Sequence, residues 1–99
     1  MLKILIADDD ALIRDTVIKY SRREGFEIEQ AADGLEAVEI CEQTIFDIIL
    51  LDIMMPKLDG FSACRKIRQL QPAPIIILSA LGEEYDKLFG FDLGVSDYM

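Results

Sequence analysis

The chain has 99 residues, 52% of them hydrophobic, with a formal net charge of −9 and no histidine. That length gives one small domain with a core of its own and excludes two. The acidic balance argues against a surface for phosphate backbones or anionic membranes, and the lack of histidine excludes Ser-His and Cys-His catalysis.

Residues 2–7 form a short apolar run that stops at Asp8-Asp9-Asp10, the pattern of a buried strand ending at a polar edge. Residues 11–24 carry Ile13, Val17 and Tyr20 at helical spacing, with Arg14, Lys19, Arg22 and Arg23 on other faces, and Gly25 ends that helix. Residues 26–31 read as a second strand. Asp33-Gly34 makes a turn into a helix over 35–43, with Val38 and Cys41 inward. Residues 47–51 form a third strand, buried on both faces by its composition, and Asp52 follows it directly. A loop over 55–60 leads to a third helix over about 61–70, with Cys64 and Ile67 on one side. Residues 75–78 make a fourth strand ending at Ser79, residues 83–92 a fourth helix, and Val95 to Met99 begin a fifth strand. Strands alternating with amphipathic helices predict an α/β fold with a parallel sheet covered on both faces.

Cys41 and Cys64 read as buried thiols in a reducing compartment, and two isolated cysteines without histidine leave no zinc site. No signal peptide is visible, and no apolar stretch reaches the length of a membrane span. The expectation is a cytoplasmic protein with no membrane partner.

In a parallel α/β sheet, reactive groups gather beyond the carboxyl ends of the strands. The first strand ends in Asp8-Asp9-Asp10, the third in Asp52, the fourth in Ser79. If those strands are neighbours, the groups share one crevice. Carboxylates crowded together raise one another's pKa, and a hard divalent cation relieves the conflict. Magnesium suits such a site, because it takes carboxylate, water and phosphate oxygens. A carboxylate beside it can act as a nucleophile toward a phosphoryl donor and form an aspartyl phosphate. Taken singly, Asp52 and Ser79 fit caps or turns equally well, whereas three aspartates in a row exceed what capping requires; the convergence of all three strand ends favours chemistry. Asp10 is assigned only a helix-start role.

The segments Ile4 to Asp10, Asp47 to Gly60, Ile77 to Ala80 and Gly94 to Tyr98 together resemble the CheY-like response regulator receiver domain, over residues 2–99 and in the right order. The resemblance implies the doubly wound, flavodoxin-like strand order 2-1-3-4-5, which the patterning alone does not supply. It also implies a phosphoacceptor at Asp52, a direct metal ligand at Asp9 with Asp8 acting through water, and a backbone carbonyl ligand from Met54. Ser79 then resembles the switch hydroxyl and Tyr98 the switch aromatic, while Pro56 and Gly60 shape the loop after the acceptor. The implied cofactor is Mg2+, and the implied phosphoryl donor is a sensor histidine kinase. The protein would catalyse only its own phosphorylation and dephosphorylation. Bulky Met54 and Leu81 beside the site imply slow loss of the phosphoryl group by water attack.

Residues 83–94 resemble the fourth helix of the OmpR/PhoB subgroup. There, groups like Asp86, Lys87 and Asp97 serve a dimer face, and DNA is bound through a further C-terminal domain, so the implied output is transcription. The family pattern continues with a lysine three residues beyond the switch aromatic and a fifth helix, whereas this chain stops at Met99. None of Lys3, Lys57, Lys66 and Lys87 matches that lysine. The expectation is therefore a single receiver domain over 1–99, C-terminally truncated, with its last strand and helix incomplete and an apolar sheet face uncovered.

Two other readings compete. A haloacid dehalogenase-type phosphatase fragment would place its nucleophile in Asp8-Asp9-Asp10-Ala11-Leu12, which lacks the Thr or Val of that pattern and leaves Asp52 idle. An interaction module incapable of phosphorylation has only the missing lysine in its favour. An EF-hand lacks its glycine and terminal glutamate at loop spacing, and no glycine-rich loop for a nucleotide follows the first strand.

Overall fold

The computed structural model describes residues 2–78 and the backbone of residues 97 and 98. Its elements are β1 (Lys3–Ala7), α1 (Ala11–Arg23), β2 (Glu27–Ala31), α2 (Gly34–Gln43), β3 (Ile48–Asp52), α3 (Gly60–Leu70), β4 (Ile75–Leu78) and β5 (Asp97–Tyr98). All strand pairs are parallel, and the order across the sheet is β2-β1-β3-β4-β5. The doubly wound order expected from the family resemblance is therefore the observed one. The expected helix over 83–92 lies outside the described residues.

Each described helix starts on an aspartate. Asp10, Asp33 and Asp59 are N-caps whose carboxylates accept from the backbone N–H of Leu12, Glu36 and Ser62, which satisfies donors that a helix start otherwise leaves free. Asp10 thus has the helix-start role assigned from the sequence. At the other end of α1, Gly25 takes φ 82°, a left-handed conformation that ends the helix.

The main core lies on one face of the sheet. Leu5, Ala7, Ile49, Leu51, Ile75 and Ile77 point there and meet Val38, Cys41, Cys64 and Ile67 from α2 and α3. Both cysteines are buried thiols, and burial pushes them up to about 12 for Cys41 and about 11 for Cys64. The inward sides predicted for α2 and α3 are the observed ones.

Two expectations need correction. The inner line of α1 is Arg14, Ile18 and Ser21, while Ile13 is 41% and Tyr20 59% exposed. The stripe 13-17-20 differs from 14-18-21 by a single position, and Arg14 disguises the true one because a charge occupies it. Nor is β3 buried on both faces. Ile49 and Leu51 are fully buried, but Ile48, Leu50 and Asp52 are half-buried. Among the described residues, that second face is covered by α1, which lies chiefly over β1 and β2 and so protects Ile4 and Ile6. No helix among the described residues is long and apolar enough to cross a membrane.

Candidate functional site

The strand order makes β1 and β3 direct neighbours, with Ala7 level with Leu51. Asp8 follows Ala7 and Asp52 closes β3, so their carboxylates emerge at the same edge of the sheet. Asp8, Asp9 and Asp52 each offer an oxygen, and these oxygens lie within 4.8 Å of one another. The sheet register alone explains the pairing of Asp8 with Asp52, while Asp9 joins them from the turn into α1.

The pocket is electrostatically uncomfortable. Asp8 is 4% exposed, and its carboxyl is raised above the usual carboxylate value by burial, then by the charges of Asp9 and Asp10. The backbone N–H of Asp10, which donates to Asp8 Oδ1 at 2.9 Å, pulls the other way. Asp52 is raised to about 6 by burial first and by Asp8 and Asp9 after it, against hydrogen bonding from the backbone N–H of Met54 and Ile53. Three such oxygens so close together fit a divalent cation, which would remove the repulsion that raises both groups.

The loop after Asp52 is wound tightly. Met55 N and Gly60 N both donate to the Ile53 carbonyl, and Leu58 N donates to the Pro56 carbonyl at 2.7 Å. Gly60 packs against the backbone of Asp52 and Ile53 so closely that a β-carbon there would overlap it. Lys57 adopts φ 68°, an uncommon conformation for a side-chain-bearing residue, and its Nζ lies 3.5 Å from Asp33 Oδ2 at the start of α2. The backbone N–H of Glu36, followed by the Lys57 charge, holds Asp33 below the usual carboxylate value. Ile53 and Met55 turn into the core, whereas Met54 is 59% exposed at the rim.

A family model described as "Response regulator receiver domain" matches residues 4–99. The chain belongs to the response regulator receiver domain family. It is 44% identical over 97 residues to the transcriptional regulatory protein ResD of Bacillus subtilis, which covers 98% of this chain and 40% of that protein. The chain thus spans well under half the length of the curated relatives it matches. The receiver domain of the Francisella response regulator 1452 is 37% identical with a TM-score of 0.93, over 100% of this chain and 83% of that one. The receiver domain of the sensor histidine kinase PA1611 from Pseudomonas aeruginosa is 33% identical with a TM-score of 0.86, over 99% and 83% of the two chains. That neighbour has a magnesium ion coordinated in its active-site cleft.

Of the site residues expected from the sequence, the receiver fold brings Asp8, Asp9 and Asp52 together. Met54 stands at the rim with an exposed side chain. Ser79 and Leu81 lie outside the described residues. Tyr98 is placed on β5 opposite Ile77, and its side chain lies outside what is described. Three contributors escaped the sequence reading. Arg14 Nη1 donates to the Asp8 carbonyl at 2.7 Å; its only sequence signal is a charge in line with Ile18 and Ser21. Lys57 reaches Asp33 across a sequence gap that no local pattern reveals. Gly34 abuts Leu58, and the signal was a glycine in the first turn of a helix, where most residues form helix better.

Proposed function

We propose that this receiver domain accepts a phosphoryl group on Asp52, with a magnesium ion held by Asp8, Asp9, Asp52 and the backbone carbonyl of Met54. The observation that carries the reading is the set of three carboxylate oxygens within 4.8 Å at neighbouring strand ends. A bound magnesium ion would supply positive charge against the pocket and against the phosphoryl oxygens during transfer. Asp52 attacks phosphorus in its ionised form, so the bond from its carboxylate oxygen to phosphorus forms as the donor's bond to phosphorus breaks. In this reading Asp9 contacts the ion directly and Asp8 acts through water.

The donor is a phosphohistidine on a sensor histidine kinase, whose imidazole takes up a proton as it leaves. Ser79 then turns its hydroxyl to the phosphoryl group and Tyr98 moves inward with it. The longer protein controls transcription, binding DNA through a C-terminal domain and pairing through the fourth-helix face that carries Asp86, Lys87 and Asp97. Relatives named as transcriptional regulators support that assignment. In this reading the protein works in the cytoplasm.

The test is incubation with phosphoramidate and Mg2+, followed by intact mass and site mapping. One phosphoryl group is expected on Asp52, absent in EDTA and in Asp52→Ala. Full labelling of Asp52→Ala would overturn the assignment and return the phosphatase reading, with Asp8 as its nucleophile. An unlabelled parent protein would favour the phosphorylation-incompetent interaction module.

A further inference from the structure

We propose that Arg14 is a positioning residue for the acidic pocket, acting through the backbone of Asp8; the inference rests on reading that pocket as a magnesium site. Arg14 occupies the inner line of α1, shared with buried Ile18 and Ser21, yet carries a charge there. Among the described residues, its guanidinium has two partners. Nη1 donates to the Asp8 carbonyl at 2.7 Å, and Nε donates to Gln30 Oε1 on β2 at 2.9 Å. The planar fork therefore spans the β1–α1 turn and the neighbouring strand, in a geometry that a single ammonium point charge does not reproduce.

Asp8 is held at its backbone N–H, its carbonyl and one carboxylate oxygen. Its N–H donates to the Ala31 carbonyl at 3.1 Å, and its Oδ1 accepts from Asp10 N at 2.9 Å. Its carbonyl is held by Arg14. That carbonyl belongs to the peptide plane joining Asp8 to Asp9. Fixing the plane fixes where the Asp9 chain leaves the turn, and Asp9 is exposed, with little packing to direct it. The backbone N–H of Arg14 also donates to the Asp10 carbonyl at 3.1 Å, so one residue closes the turn through both its main chain and its side chain. Groups that orient metal ligands in this manner govern affinity without touching the ion.

Two roles for Arg14 predict opposite signs. If it were only a cation near the pocket, removing it would leave the pocket more negative and tighten Mg2+ binding. If it aims the turn, removing it loosens binding. Arg14→Met keeps the aliphatic stem, Arg14→Lys keeps the charge but loses the fork, and Gln30→Met removes the guanidinium's other partner. Mg2+ affinity, measured by titration calorimetry, is expected to fall about tenfold in Arg14→Met and about threefold in each of the other two. The thermal midpoint of each variant in EDTA should stay close to that of the parent. Unchanged or tighter Mg2+ binding by Arg14→Met overturns the proposal. A large drop of the EDTA midpoint in all three variants also overturns it, by making Arg14 a structural brace only. A parent protein that binds no Mg2+ sinks the pocket reading itself, a result distinct from both.

Discussion

Gly34, the first residue of α2, lies against the carbonyl oxygen of Leu58 in the loop that follows Asp52, with no room between them for a β-carbon. The start of one helix is thereby docked on the backbone of the acceptor loop. Gly34→Ala must displace that carbonyl, a backbone atom that cannot rotate away, and should cost about 3 kcal/mol of stability. Gly25 gives the contrast. Nothing lies within 4 Å of a β-carbon there, and only its φ of 82° opposes a side chain. Gly25→Ala should therefore cost about 1 kcal/mol. Chemical denaturation of the two variants checks the ranking, and equal losses would refute it.

Gln71 is the polar clasp between the ends of α2 and α3 and the loop that leads into β3. It is 3% exposed; its Oε1 accepts from Phe46 N at 2.8 Å, and its Nε2 donates to the carbonyls of Thr44 at 2.8 Å and Cys41 at 3.2 Å. Gln71→Leu fills the space but strands one buried donor and two acceptors. The expected loss is about 2 to 4 kcal/mol, because an unmet buried polar group costs more than a made bond contributes. A loss under about 0.5 kcal/mol in urea denaturation would show that water replaces the side chain at the seam.

The raised carboxyl of Asp52 sets a pH dependence. Its folded value of about 6 lies above the ordinary 3.8, so between these values the folded protein keeps a proton that the unfolded chain has released. This group's contribution to stability therefore falls as pH rises through that window and is level above it. Asn at the same position has no such slope. In EDTA, the thermal midpoint of Asp52→Asn should gain on that of the parent as pH rises from 3.8 to about 6, then hold a constant lead. Saturating Mg2+ should shrink the lead, because the ion binds the ionised form. Parallel profiles in EDTA would contradict the assigned burial and charge crowding.

The sequence carried the sheet and the pocket well because both rest on coarse signals. Apolar runs that stop at aspartates mark strand ends, and the observed β4 has the predicted bounds of 75–78. The neighbouring of β1 and β3, which makes Asp8 and Asp52 partners, came from family resemblance rather than from periodicity. What stayed hidden depends on contacts between distant segments. A helical stripe fixes a face only to within one position, so Ile13 and Tyr20 were placed inward where Ile18 and Ser21 are. Composition predicts an enclosed β3, whereas Ile48, Leu50 and Asp52 are only half-buried. Arg14, Lys57 and Gln71 act through polar bonds to residues 6, 24 and 25 or more positions away, and no local pattern announces such a partner.

The central claim is that three crowded carboxylates form one magnesium-dependent acceptor site. Its most direct test is amide NMR of the protein with Mg2+ and beryllofluoride, a mimic of the phosphoryl group. The account predicts shifts centred on Asp8, Asp9, Asp52 and the loop from Ile53 to Gly60, present with both reagents together and abolished by EDTA. Shifts that persist without Mg2+, or that leave Asp52 and Asp9 unmoved, would contradict it.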